Sequence, residues 1–164
     1  MNIDELAEKV VQIISEEEVC PLGEGDEGLV YAVDDKVVLK LHNDPQRSGY
    51  YRSSSKNNAK YEFELGSYLH QLGVQVPEYF GLFRPARLPG LNYWGLFMER
   101  IYGIAVYYPK IVDSAKKQFE EQKKLLWKLG YRAEDVSFSQ GKNLLFDSTK
   151  EKLYLFDLVR WEKN

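Results

Sequence analysis

The chain has 164 residues, of which 44% are hydrophobic, 29% charged and 14% aromatic. That mixture suits one soluble domain, or two small lobes, able to fold without disulfide or metal staples. A net charge of −3 leaves no basic face for nucleic acid, and no run approaches the ~20 apolar residues of a membrane span.

Cys20 is the single cysteine, which forbids an intrachain disulfide. Met1–Val10 lacks the basic start and apolar core of a signal peptide, so a cytoplasmic protein is expected. Val19, Pro21 and Leu22 flank Cys20 and predict a buried, inert thiol.

Asn2 or Asp4 can cap a first helix, in which Ile3, Leu6, Val10, Ile13 and Ile14 recur at helical spacing. Glu16, Glu17 and Glu18 oppose the helix dipole and predict fraying there. Strands follow at Leu29–Val33 and Lys36–Leu41, around a compact turn at Asp34-Asp35. Residues 43–58, with Pro45 and many Ser and Asn, read as a mobile loop.

A second helix is predicted over Ala59–Leu72, ended by Gly73. Residues 74–83, with Pro77, lead into a strand. Arg84–Gly90 reads as a turn and Tyr93–Ile101 as an apolar strand broken at Gly103. After Pro109 comes a helix over Val112–Leu129, with Val112, Ala115, Phe119, Leu126 and Leu129 on one stripe and Gly130 at its end. Strands at Asn143–Phe146 and Leu153–Leu158 close the chain. The order is α+β, not an alternating parallel sheet.

Gly23-x-Gly25-x-x-Gly28 is a weak motif by itself. Glycines let backbone N–H groups approach a phosphate because no Cβ intervenes. A dinucleotide fingerprint needs a helix after the loop, whereas a strand follows here. The pattern fits a glycine loop at the tip of a β-hairpin, laid over a nucleotide, or a plain hairpin turn. Lys40 stands inside the apolar run Val37-Val38-Leu39-Lys40. A lysine there costs free energy unless its ammonium meets a partner.

Gly23 to Lys40 resembles the first lobe of the protein-kinase-like superfamily, which includes aminoglycoside-phosphotransferase-type kinases and small bacterial effector kinases. The resemblance implies a two-lobe fold with an antiparallel N-lobe sheet, ATP and Mg²⁺ as ligands, and Lys40 on the nucleotide phosphates. It implies that Gly23, Gly25 and Gly28 cover the phosphates and Val30 the adenine. A helix glutamate should hold Lys40: Glu62, with Glu64 as runner-up. Glu62 shares a face with Leu65, Leu69 and Leu72.

Leu96-Phe97-Met98-Glu99-Arg100-Ile101-Tyr102-Gly103 resembles the hinge segment. This implies Met98 as gatekeeper and backbone contacts to adenine near Glu99 to Ile101. After Gly130, Asp135 stands where the family carries its catalytic base, with Ala133 in the usual histidine position. Asn143 follows Asp135 after a lengthened loop, and Phe156-Asp157-Leu158-Val159 resembles the metal-binding Asp-Phe-Gly element. Asn143 and Asp157 are the implied Mg²⁺ ligands.

The resemblance implies one kinase-like domain, with an N-terminal helix at 1–18, an N-lobe at 19–101 and a reduced C-lobe at 102–164. The chain ends soon after Asp157, without the family's activation loop and later helices. Without them the stripe on the Val112–Leu129 helix is expected to be partly exposed, favouring a protein partner or self-association. Three readings stay open: an ATP-dependent phosphotransferase, a pseudokinase that binds nucleotide or protein without catalysis, and an interaction domain that has lost the nucleotide. With only His42 and His70 and one cysteine, a zinc cluster or a Cys–His nucleophile is not expected.

Overall fold

The computed structural model describes residues 2–15, 20–25, 28–42, 54–84, 93–105, 112–132, 136–137, 143–158 and 161–163. The fold is α+β, with three helices and a mostly antiparallel set of sheets among these residues. The chain divides into two compact units: Met1–Glu64 with Glu78–Arg100, and Leu65–Pro77 with Ile101–Asn164.

The first unit opens with helix α1, Ile3–Ser15. Asn2 starts it, its side-chain oxygen accepting the Asp4 N–H at 3.0 Å. Strands β1 (Gly23–Gly25), β2 (Gly28–Ala32), β3 (Val37–His42), β4 (Tyr79–Phe83) and β5 (Gly95–Glu99) form one antiparallel sheet ordered β1-β2-β3-β5-β4. The β2–β3 turn is built by Asp34. Its Oδ1 accepts the N–H groups of Lys36 and Val37 at 2.8 and 2.9 Å. The Lys36 amide, and less strongly Lys9 and the Val37 amide, hold this carboxyl below the usual carboxylate range.

Alternation along β3 sends its side chains to opposite faces. Val37, Leu39 and Leu41 join Leu6, Ala7, Val10, Phe83 and Phe97 in a buried cluster, so α1 covers that face of the sheet. Val38, Lys40 and His42 therefore lie on the other face. Helix α2, Ser55–Gln71, follows. It starts four residues earlier than its hydrophobic pattern indicated, because Ser54 caps it: the Ser54 oxygens accept the Asn57 and Asn58 N–H groups. It ends at Gln71, which leaves Leu72 40% exposed in the turn and off the face shared by Leu65 and Leu69.

In the second unit, Gly73 and Gly130 close α2 and helix α3 (Val112–Lys128) with φ of 83° and 79°, the left-handed backbone that favours glycine. Strands β6 (Ile104–Ala105), β8 (Leu144–Asp147) and β9 (Lys152–Leu155) form a three-stranded sheet ordered β6-β8-β9. Strand β7 (Tyr131–Arg132) pairs antiparallel with β10 (Glu162–Lys163).

Three residues of the expected α3 stripe, Ala115, Phe119 and Leu126, are 0%, 6% and 2% accessible, because α3 packs on β9 and β7, while Leu129 at its end is half-buried. One expectation is corrected. Cys20 is exposed, as are Pro21 and Leu22, because this segment leads into β1 at the edge of the sheet, beyond which no described strand lies. The expected fraying at Glu16–Glu18, the loop at 43–53 and the turn at 85–90 lie outside the described residues. Among the described residues no helix is long and apolar enough to cross a membrane.

Candidate functional site

The first unit brings Lys40 and Glu62 together. Lys40 is the fourth residue of β3, with Val30 of β2 and Leu96 of β5 as cross-strand neighbours. Its Nζ lies 2.8 Å from Oε2 of Glu62, on α2. Lys40 is 7% exposed and Glu62 is fully buried. Two charges so far from water persist only as partners, since each alone would carry a desolvation cost of several kcal/mol. Glu64 is exposed, which decides between the two helix glutamates in favour of Glu62.

A third group completes this cluster. His42 is fully buried, and its Nε2 lies 3.2 Å from the same Glu62 Oε2, off the line of a good hydrogen bond. It follows Lys40 by two residues, so strand alternation places both side chains on one face. Sequence reasoning weighed His42 only in setting aside a zinc cluster and a Cys–His nucleophile. The signal that could have found it is this spacing, in a strand whose other members are apolar.

The glycine motif forms a hairpin: Gly23 pairs with Val30, and Gly25 with Gly28. Its connecting residues, Asp26 and Glu27, lie outside the described residues. Gly28 is required for packing, because a Cβ there would overlap the Leu41 carbonyl oxygen of β3. At Gly23 a Cβ would meet nothing, so no contact among the described residues requires glycine. Val30 and Met98 are placed on the Lys40 face by register: Val30 opposes Lys40, and Met98 opposes Val38. At the end of β5 the Glu99 N–H donates to the Glu78 carbonyl and the Arg100 N–H to the Lys36 carbonyl, both at 2.8 Å. Ile101 begins the second unit's later segment.

In the second unit Asn143 and Asp157 stand at one end of the β8–β9 hairpin. Leu144 pairs with Leu155, and the Phe156 N–H donates to the Asn143 carbonyl at 3.2 Å. Both adopt left-handed backbone, with φ of 57° and 65°. Asn and Asp adopt this backbone more readily than other residues with a Cβ, because their short polar side chains can hydrogen-bond locally. Beyond Asp157, Leu158 and Trp161 are buried and anchor the strand exit. Asp135, with Ala133 and Glu134, lies outside the described residues, between β7 and β8 in sequence.

At the other end of this hairpin Asp147 is a structural residue. Burial acts to raise its pKa, but hydrogen bonds from the Thr149 hydroxyl and the Lys150 and Thr149 amides, with the nearby Lys150 charge, leave it lowered. Sequence reasoning also missed two glutamines of α3. Gln118 accepts the Leu153 N–H at 2.9 Å and Gln122 the Gln75 N–H at 2.8 Å. They satisfy backbone donors that would otherwise be left bare in this unit. Among the described residues no group of three or more His, Cys, Asp and Glu side chains could hold a metal ion. No protein-family model matches this chain, and no curated protein matches it.

Proposed function

We propose that this chain is a protein-kinase-like protein with a reduced second lobe, which binds Mg·ATP and transfers its terminal phosphoryl group to a hydroxyl. The observation that carries this reading is the buried Lys40–Glu62 pair at 2.8 Å, on an antiparallel sheet ordered β1-β2-β3-β5-β4 whose first hairpin is the glycine motif. An ammonium carries three donor hydrogens, and a carboxylate that accepts one of them fixes it in place for contact with phosphate oxygens. No contact among the described residues requires glycine at Gly23, which supports a role for the hairpin in approaching a ligand.

In this reading Lys40 binds the nucleotide phosphates and Glu62 orients Lys40. Val30 and Met98 flank the adenine. The Glu99 and Arg100 N–H groups already donate to carbonyls, which favours the Glu99 carbonyl and the Ile101 backbone as readers of the adenine edge. Asn143 and Asp157 offer hard oxygen donors suited to Mg²⁺. Two such ligands leave most of the coordination shell to phosphate oxygens and water, as expected of a metal that arrives with its nucleotide. The bond from the γ-phosphorus to its bridging oxygen breaks, a bond to the acceptor oxygen forms, and Asp135 takes the acceptor proton.

A second reading, a pseudokinase that binds nucleotide or a protein without catalysis, is favoured by particular residues. Ala133 stands in the usual histidine position, and the hairpin carries Glu24, Asp26 and Glu27, which repel a phosphate chain. Incubation with γ-labelled ATP and Mg²⁺ separates the readings. Transfer or hydrolysis that Asp135→Asn abolishes, with nucleotide binding retained, supports the phosphotransferase. Nucleotide-induced thermal stabilisation without turnover supports the pseudokinase. Neither signal leaves an interaction domain that has lost the nucleotide. Turnover that survives Asp135→Asn removes Asp135 as the base and makes Glu134 the candidate.

A further inference from the structure

The cluster at Glu62 has one member for which the phosphate-binding reading has no use. His42 is fully buried, and its backbone is pinned on both sides: its N–H donates to the Trp94 carbonyl at 2.9 Å, and Gly28 is its partner in β2. Its Nε2 stands 3.2 Å from Glu62 Oε2, the atom that Lys40 Nζ approaches to 2.8 Å. Among the described residues neither ring nitrogen meets the geometry of a hydrogen bond, and the Glu62 carboxylate is the acceptor within reach of Nε2. The cross-strand neighbours on this face, Gly28, Val30 and Leu96, carry no charge.

A neutral imidazole carries hydrogen on one nitrogen and a lone pair on the other. A bare Nε2 would set its lone pair against the carboxylate at close range in a low-dielectric site, where such a contact is repulsive. The stable arrangement puts hydrogen on Nε2 and aims it at Glu62. Its poor alignment follows from sharing one oxygen with an ammonium that takes the shorter approach.

We propose that His42 is a positioning residue, whose Nε2–H donates to the Glu62 oxygen that also binds Lys40. Glu62 is thus held by two donors from one strand, and keeps one of them when Lys40 turns toward a phosphate. The second half of this proposal rests on the phosphate-binding reading of Lys40; the first half does not.

Two measurements test the halves separately. Long-range ¹H–¹⁵N spectra of the ¹⁵N-labelled full chain near neutral pH report which imidazole nitrogen carries hydrogen, and His70→Asn assigns the two histidines. A hydrogen-bearing Nε2 on His42 is expected; a bare Nε2 with hydrogen on Nδ1 overturns the proposal, whether or not nucleotide binds. Mg·ATP affinity is then compared among wild type, His42→Gln and His42→Leu. Glutamine keeps a donor without the ring and is expected to bind within about threefold of wild type. Leucine removes the donor and is expected to bind roughly tenfold or more weakly, the size of a lost hydrogen bond to a charged group. Equal affinity for both variants overturns the positioning role. A wild type that binds no Mg·ATP overturns the phosphate reading and the ligand-linked half with it, while the spectra still decide the donation to Glu62.

Discussion

Replacing Glu62 by leucine tests whether the Lys40–Glu62 pair is buried and coupled. Lys40 is 7% exposed and Glu62 0%, so the pair belongs to the buried regime and not to surface ion pairs worth about 0–1 kcal/mol. Glu62→Leu removes the carboxylate partner of Lys40, and Lys40→Met removes the ammonium partner of Glu62. Each is expected to cost about 3–5 kcal/mol. At roughly 2–4 °C per kcal/mol for a chain of this size, melting falls by about 6–20 °C. In the double variant Lys40→Met/Glu62→Leu no buried charge of the pair remains. The apolar replacement is near neutral or stabilising, and His42, left beside an apolar neighbour, costs about 1–3 kcal/mol. The double variant should therefore lie within about 3 kcal/mol of wild type, giving a coupling of about 3 kcal/mol or more. Chemical denaturation of the four proteins measures it. Strictly additive losses, or single variants within about 1 kcal/mol of wild type, would show that the pair does not carry this burial energy.

Gly28→Ala drives a Cβ into the Leu41 carbonyl oxygen, so β2 and β3 must separate; a loss of about 1–3 kcal/mol is expected by denaturation. Gly23→Ala, with open space around it, should change stability by under about 1 kcal/mol and reveal instead any effect on ligand binding. Hydrogen bonds from Thr149 and Lys150 outweigh burial and hold the Asp147 carboxyl below its ordinary value of 3.8, so its contribution to stability is present above that value and is lost as pH falls through the folded-state pKa. Asp147→Asn should therefore flatten the acid limb of the stability profile, and an unchanged limb would refute this assignment.

The sequence was most legible where one residue type has one physical use. Gly73 and Gly130 end helices in left-handed backbone, as their positions implied. Lys40 in an apolar strand demanded a partner, and helical periodicity named Glu62 over Glu64 because Glu62 falls on the face of Leu65 and Leu69. What stayed hidden depends on tertiary placement. An edge strand left Cys20 exposed despite apolar neighbours, and α3 packs on β9, which lies beyond β7 and β8 in sequence. The two-residue strands β6, β7 and β10 are too short for alternation to register. The Gln118 and Gln122 bonds to backbone cross more than thirty residues of sequence, as shown by the separations of 35 and 47. Gly28 has a packing use that its motif does not reveal: the Leu41 carbonyl forbids a side chain there.

The most direct measurement is calorimetric titration of Mg·ATP into the wild-type chain and into Lys40→Ala, with folding of both verified by circular dichroism. Saturable binding that depends on Mg²⁺ and falls at least roughly tenfold in the variant is the result the proposed phosphate role of Lys40 predicts, since a charge-assisted contact would be lost. Wild-type protein that takes up no nucleotide, or a variant that binds as tightly as wild type, would contradict the assignment of Lys40 as the phosphate ligand.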